Sequence, residues 1–414
     1  MWFNILKISV DIMPQELRNH IKKEGGKVYQ IGGAVRDEFL GKVSKDLDLI
    51  ITGIDIDDLQ VILGEYGSVN LVGRNYGVLK FRPTGLTGEP IDISVPRIEV
   101  STGEGHKDFE VRLGRGITLE QEQLRRDFWM NAIAKDIDTG ELIDIEGKGQ
   151  LDIKNKLISV INPKAFDDDP LRMLRAIQFA ARFDFEIEPK TMQEIKKNAK
   201  KITTVSPTRF QEEFRKMFEK ANKPTVGVDL LIETGIMPLI LSKGKSNPLM
   251  DKLDKKAFPT FLALLAEDYG EAAGETIQTL MKVSKVDTKA IQAVVDFQKI
   301  PFTNISIIQF LKDRANLDYV IQHIDALLKA QGKGALSDKL KDMKGGGMPT
   351  KRNELAVSGR DLLDVGLKGR QIGEAIEYLM GVAVNSKNEK EHLINEAKRE
   401  FGISKMSWED LLWR

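Results

Sequence analysis

The stretch Ile31-Gly-Gly-Ala-Val-Arg-Asp37, followed after Leu40-Gly41 by Lys45-Asp-Leu-Asp-Leu-Ile-Ile51, implies a strand, a Gly-Gly turn, a helix start and a second strand. Gly32 and Gly33 let the backbone come close to a ligand, and free amides at a helix start form a site for phosphate. Asp46 and Asp48 are two residues apart on the second strand, so both carboxylates share one face while Leu47 and Leu49 point into a core. Adjacent carboxylates repel one another unless a cation lies between them. An isolated Asp-x-Asp is most often a solvated strand end; placed one helix after a Gly-Gly turn, it reads as a metal and phosphate site. A dinucleotide site would need G-x-G-x-x-G and a ribose-binding acid about 20 residues on. This chain has Gly-Gly-x-x-Arg and a paired acid, which excludes a dehydrogenase.

Outward from this stretch, residues 27–160 hold short apolar runs broken by Gly, Asp and Asn: KVYQIGG, DLDLIIT, VNLVG, GVLKF, PIDISV, ELIDI and LISVI. These are expected to be strands. Ala34–Leu40 and Leu124–Ala134 have helical spacing, so the first third is expected to be a mixed α/β sheet domain. From about residue 163 the pattern turns helical. Pro170–Phe183 puts Leu171, Leu174, Ile177 and Phe179 near one face, with Arg172 and Arg175 one turn apart. Gly345-Gly-Gly347 reads as a loop or hinge, and no repeat of fixed period is present. The fold class is therefore α+β, a sheet domain followed by helices.

The 414 residues carry 62 Lys plus Arg against 62 Asp plus Glu, a formal charge of zero, which gives no global attraction to nucleic acid. With 41% hydrophobic residues the chain can fill substantial cores, and at roughly 100–200 residues per domain it is expected to form two to four of them. Cysteine is absent, so disulfides, thiol catalysis, iron–sulfur clusters and Cys-ligated zinc are excluded. Four scattered histidines, His20, His106, His323 and His392, make a polyhistidine metal site a poor expectation. The N-terminal segment lacks the pattern of a signal peptide, and no run of about 18 apolar residues occurs. A soluble protein of a reducing compartment, most simply the cytoplasm, is expected.

Together GGAVRD, Leu40-Gly41 and the Asp-x-Asp resemble the first motif of the class II transfer RNA nucleotidyltransferases, the CCA-adding enzymes, and of their bacterial poly(A) polymerase relatives. Leu124-Arg-Arg-Asp-Phe-Trp-Met-Asn-Ala-Ile133 resembles the family's RRD motif. Phe166-Asp-Asp-Asp-Pro-Leu-Arg172 resembles its EDxxR motif, and Arg209, Glu213 and Lys216 fit a later helical motif. The resemblance implies a polymerase β-like head over residues 1–145, a neck over 146–222 that recognises the base, a body over 223–300 and a transfer RNA-binding tail over 301–414. It further implies that the first motif binds metals and triphosphate, that RRD (Arg126, Asp127) contacts the ribose, and that EDxxR reads the base. CTP, ATP, transfer RNA and two Mg²⁺ ions are the expected substrates and cofactors.

On this reading Asp46 and Asp48 hold the two metals, one activating an RNA 3′-hydroxyl and one stabilising the departing pyrophosphate. Arg36 neutralises triphosphate charge. Asp92, in Pro90-Ile-Asp-Ile-Ser-Val95, is a possible third carboxylate or an ordinary strand-edge acid. Asp169 and Arg172, three apart at a helix start, can present an acceptor and a donor fork to one planar partner. Cytosine and adenine offer an amine donor beside a ring acceptor and match this pair. Guanine and uracil reverse the pattern and would leave mispaired polar groups costing about 1–3 kcal/mol each. Asp169 is equally readable as a helix cap before Pro170, Arg172 and Arg175 as a solvated face, and Arg126–Asp127 as a local ion pair.

Two departures from the family pattern stand out: Asp168 where Glu is usual, and Trp129 where a smaller residue is usual. Arg97 to Arg115, with Gly103, Gly105 and His106, corresponds to the family's mobile loop, which helps switch the pocket from CTP to ATP and so argues against addition of cytidine alone. Lys196, Lys197, Lys200 and Lys201 form a basic stripe suited to RNA phosphates or simply to water. Val357–Gly373, with Gly366, Gly369 and Arg370, resembles the tail segment that grips transfer RNA, although its usual proline is missing. No His-Asp dipeptide is present, so an accessory phosphohydrolase is not expected. The alternatives are a poly(A) polymerase, a specialised A-adding or CC-adding enzyme, or a catalytically silent RNA-binding module.

Overall fold

In the computed structural model, residues 13–42, 48–72, 77–85, 89–101, 109–311, 314, 316–345, 349 and 352–403 are described. Asp46, the segment 102–108 with Gly103, Gly105 and His106, and the C-terminal 404–414 lie outside them. The chain forms two compact units, one of residues 1–217 with 230–239, the other of 218–229 with 240–414.

The first unit is built on a seven-stranded sheet among the described residues. Its strands are β1 (Lys27–Ile31), β2 (Asp48–Thr52), β3 (Gly67–Val72), β4 (Val78–Pro83), β5 (Ile91–Ser94), β8 (Ala134–Asp136) and β9 (Leu142–Ile143), in the order β3-β4-β5-β2-β1-β8-β9. All neighbours run antiparallel except β2 and β5. The period-two pattern sorts side chains onto two faces. Leu49, Ile51, Leu79, Phe81 and Ile93 pack one face against Leu17 and Ile21 of helix α1 (Gln15–Lys23) and Leu59 and Leu63 of α3 (Ile56–Tyr66). The other face carries Tyr29, Ile31, Ile50 and Ala134.

The helix expected after the Gly-Gly turn is α2, Gly33–Phe39. The helix expected over Leu124–Ala134 is not formed. Instead α4 (Leu119–Leu124) stops there, a 3₁₀ turn covers Trp129–Asn131, and β8 begins at Ala134. Side chains outcompete the helix for its backbone partners. Gln123 Nε2 donates to the carbonyls of Ala132 and Ile143 at 2.7 and 2.8 Å, Asp127 Oδ1 accepts from Phe128 N at 2.9 Å, and fully buried Phe128 bridges to Val160. A further difference is the two-stranded sheet β6 (Arg97–Ser101) with β7 (Phe109–Leu113), within a segment read from the sequence as loop.

Beyond the sheet, the first unit is mostly helical: α5 (Lys148–Asn155), α6 (Ala165–Asp168), α7 (Leu171–Phe183), α8 (Pro189–Asn198) and α9 (Pro207–Lys220). The buried stripe of α7 includes Leu171, Leu174, Ile177 and Phe179, and the helix ends at Asp184 in a left-handed conformation.

The second unit is helical throughout its described residues. In its core Phe261 of the helix Phe258–Leu265 stacks on Phe218, and Phe258 meets the same ring at a tilt. Val357, Leu362, Leu367, Leu379 and Leu393 form a separate cluster. Among the described residues no helix is long and apolar enough to cross a membrane.

Candidate active site

The sheet delivers two carboxylates to one place. β2 and β5 are parallel, with Asp48 opposite Asp92 in register, so both project from the same face as Ile50 and Ser94. Asp48 is exposed, and Asp92 is half-exposed with Lys80 Nζ of β4 at 2.7 Å. Carboxylate oxygens are the donors that Mg²⁺ prefers, and the ammonium of Lys80 shows that this end of the sheet attracts a cation. The donor set therefore fits a divalent ion, and in sequence Asp46 stands two residues before Asp48. Among the described residues alone, no group of three His, Cys, Asp or Glu side chains could hold a metal.

The Gly-Gly turn lies against the RRD segment. Gly32 has φ +83° and ψ −132°, a conformation that side chains rarely adopt, and a Cβ there would stand 2.7 Å from Arg126 Nη1. That guanidinium also donates to Asn131 O at 3.3 Å and lies 3.4 Å from Glu122. Burial pushes Arg126 below its ordinary pKa, opposed by the charges of Glu122, Asp127 and Asp48. Arg126 thus links the carboxylate end of the sheet to the next feature.

This feature is a cavity of about 400 Å³ with polar walls. Five arginines, Arg125, Arg126, Arg172, Arg175 and Arg209, line it with Asp127, Asp169, Glu212, Glu213 and Leu171. Asp127 is 7% exposed. It accepts from Arg175 Nε at 2.8 Å and from Asn131 Nδ2 at 3.0 Å. Burial acts to raise its pKa, but the charge of Arg175 and these hydrogen bonds hold it below the usual value. Arg175 continues to Glu213 at 3.7 Å, which Lys216 meets at 2.8 Å. Arg126 and Asp127 are therefore not paired with each other; each has its own partner.

Asp169 caps the start of α7, Oδ1 accepting from Leu171 N at 3.2 Å, while Oδ2 accepts from Arg209 Nη2 at 2.7 Å. Each carboxylate oxygen has a second lone pair, so capping leaves acceptor capacity toward the cavity. Arg172 Nη2 donates to Arg125 O at 2.9 Å, leaving other N–H groups of its fork unused by that bond. Both residues line the same cavity, as an acceptor and a donor fork side by side.

Arg36 is enclosed by the protein. It is 4% exposed, its guanidinium 4.5 Å from the Phe183 ring centre and 5.3 Å from that of Phe179, bonded to Asp37 and to Asn131 Oδ1 at 2.5 Å. In this place it fastens α2 to α7. Its apolar surroundings come from α7, about 145 residues downstream, which no local reading of Gly-Gly-x-x-Arg supplies.

The lysine stripe is also largely satisfied within the protein. Lys196 pairs with Glu233 at 2.9 Å, Lys197 with Glu194 at 3.3 Å, and Lys201 with Asp167. It spans two elements, since α8 ends at Asn198 and a 3₁₀ helix follows. In the second unit Gly366 (φ +108°) follows one helix and Gly369 (φ +54°) precedes the next, so the backbone itself requires glycine. Arg370 is 92% exposed and pairs with Glu374 at 3.0 Å. Trp129 is half-buried with Lys148 Nζ 4.6 Å from its ring centre. Sequence reasoning missed Asn131 and Glu122; the arginines three and four residues after Glu122 were the available signal for the latter.

With this geometry known, residues 28–159 match the family described as the Poly A polymerase head domain, and residues 184–246 the one described as Probable RNA and SrmB-binding site of polymerase A. The chain is 33% identical over 220 residues to the Multifunctional CCA protein of Xanthomonas campestris, covering 52% of this chain and 50% of that protein. It is 36% identical over 200 residues to that of Stenotrophomonas maltophilia, covering 47% and 46%. The chain thus spans about half the length of the curated relatives it matches. Among solved structures it is similar to the Bacillus stearothermophilus CCA-adding enzyme in complex with CTP, with TM-score 0.70, 24% identity, and coverage of 94% of this chain and 98% of that one. It is also similar to the Thermotoga maritima CCA-adding enzyme complexed with tRNA(CCA), with TM-score 0.67, 22% identity, and coverage of 93% and 94%. These two likenesses are likenesses of fold.

Proposed function

From a head domain shared with poly A polymerases, we propose that this chain is a cytoplasmic CCA-adding nucleotidyltransferase that transfers CMP, CMP and then AMP from CTP and ATP to the 3′ end of transfer RNA, releasing pyrophosphate. One observation carries the reading: Asp48 and Asp92 stand in register at the sheet face, and Arg126, which feels the charge of Asp48, forms a wall of the cavity that holds Asp169 and Arg172. The names of the relatives and the cocrystallised CTP and transfer RNA of the similar structures support it.

Asp48, with Asp46 and Asp92, would hold Mg²⁺; when bound, the two ions supply activation of the attacking hydroxyl and charge neutralisation on the leaving pyrophosphate. Asp127 would receive the ribose while Arg175 keeps it ionised. Asp169 would accept the exocyclic amine of cytosine or adenine, and Arg172 would donate to the adjacent ring nitrogen. Guanine and uracil would set donor against donor and acceptor against acceptor. A neck over residues 146–222 would thus serve as the template. The body over 223–300 and the tail over 301–414 would hold the RNA, with Gly366, Gly369 and Arg370 in the tail.

The test is to incubate a transfer RNA lacking CCA with CTP, with ATP and with both, and to sequence the products. Extension that ends after C, C and A is the expected result. A long A tract identifies a poly(A) polymerase instead, and no extension overturns the enzymatic reading.

A further inference from the structure

Glu122 is the most deeply buried charged group near the cavity, at 0% exposure, and three partners converge on its carboxylate. Arg125 forks onto it, Nε to Oε2 at 2.6 Å and Nη2 to Oε1 at 2.5 Å. Arg126 Nη2 reaches Oε1 at 3.4 Å, and the backbone N–H of Arg97, where β6 begins, donates to Oε2 at 3.1 Å. The carboxylate is held on α4, whose start is fixed by a reciprocal cap: Gln121 N donates to Thr118 Oγ1 at 3.1 Å and Thr118 N to Gln121 Oε1 at 2.8 Å.

We propose that Glu122 is a positioning residue that sets the arginine wall of the nucleotide cavity, an inference that rests on the nucleotidyltransferase reading. Two adjacent guanidiniums repel each other, and a single buried carboxylate that both share holds them side by side. Through Arg126 it fixes a donor against the Gly32 turn and close to Asp48. Through Arg125 it fixes the carbonyl that receives Arg172 Nη2 at 2.9 Å. The distance between the triphosphate end and the base-reading end of the cavity therefore depends on one side chain that touches neither. Gln at this position keeps the shape but turns an N–H₂ toward a guanidinium, and Asp keeps the charge but withdraws it by one methylene.

The experiment measures steady-state addition by the full chain and its E122Q and E122D variants, varying CTP, ATP and a transfer RNA lacking CCA in turn. E122Q is expected to raise KM for both nucleotides by about tenfold, with KM for transfer RNA unchanged and kcat within about threefold, and E122D to recover part of the loss. A merely structural role lowers kcat through loss of folded enzyme and leaves every KM alone, so that pattern, or wild-type constants, overturns the proposal. If E122Q does not fold, E122D decides by the same criterion: a raised nucleotide KM supports the proposal and an unchanged one overturns it. A wild-type chain that extends no transfer RNA overturns the proposed function and this inference with it, whereas normal extension with unchanged variant KM values overturns the inference alone.

Discussion

The carboxylate end of the sheet and the arginine-lined cavity belong to the same unit, yet they handle charge in opposite ways. At the sheet, Asp48 and Asp92 are brought together by strand register and remain open to solvent, with an exposed lysine the cation shown on Asp92. In the cavity wall Asp127 and Glu213, and behind it Glu122, are buried and each is matched by an arginine or lysine. The difference separates two kinds of functional residue. Charges that are to meet a ligand can be left at the surface, where they add little to stability. Charges buried in a cavity wall must be paired, because a buried ion without a partner is costly, and this holds for Asp127 whether it shapes the cavity or meets a ligand there.

Substitutions at the two places should therefore fail differently. The largest effect is expected for Asp48→Asn, or Asp46→Asn, which should lower nucleotide transfer by about three orders of magnitude or more while melting temperature and transfer RNA binding stay near wild type. Retained transfer in either variant would refute the two-metal assignment. Asp127→Ala is expected to act on stability as well, by about 2–3 kcal/mol, because it strands Arg175, which is one-third exposed, beside the apolar flank of α7. A chemical denaturation series that places Asp127→Ala and Asp48→Asn at the same midpoint would erase the distinction. A smaller effect is expected at the cavity mouth, where Asp169→Ala should reduce the preference for C and A over G and U by about tenfold. Competition assays with mixed nucleotides report this directly, and a variant that still excludes G and U would remove Asp169 from base reading.

The smallest effect contrasts two carboxylates buried to nearly the same degree, Asp127 at 7% exposure and Asp152 at 8%. Among the described residues no cation lies on Asp152; Ser159 Oγ donates to one of its oxygens at 3.0 Å and the other has no hydrogen-bond partner there. Burial pushes it up to about 6, despite the Ser159 hydrogen bonds. A carboxyl whose pKa is raised on folding contributes stability below its unfolded value, and that contribution is lost as pH rises through the folded one. Asp152→Asn is thus expected to raise the melting temperature at pH 8 and to make little difference near pH 4. Asp127, with its pKa lowered by Arg175, has the opposite sign: its contribution is present at neutral pH and lost as acid protonates it. Melting curves of Asp152→Asn that are shifted equally at both pH values would contradict this assignment.

Much of the sheet could be read directly from the chain, because alternation of apolar residues is a local signal. The runs around Val28, Ile50, Val69, Leu79, Ile93, Leu142 and Ile158 all lie in or beside strands. The segment from Leu124 to Ala134 was not readable in this way. Its apolar spacing matches a helix, but its backbone is claimed by Gln123 and Asp127 through contacts that spacing does not encode. The Asp-x-Asp and the cavity residues could be named from motif order, whereas their partners could not. Glu120 and Glu122 sit two apart in a polar stretch, and only the fold decides that the second is wholly buried. The surroundings of Arg36 were hidden for the same reason, since Phe179 and Phe183 reach it from a distant helix. The spacing of the four lysines after Ile195 does not encode the acids that three of them meet.

Lys80 gives the sheet end a property that belongs to ion exchangers. Its ammonium rests on Asp92 from the adjacent strand, and the carboxylate lifts the lysine's own pKa above its ordinary value. It is a counter-ion on a tether, present at a local concentration set by the chain rather than by the buffer. Both partners are nearly half exposed, so the pair is weak and easily opened. Any cation that binds Asp92 from solution therefore does so by substitution, and its measured affinity is a difference between two occupants. The lysine also keeps Asp92 from standing as bare negative charge, so a cation arriving from solution meets a carboxylate that is already occupied.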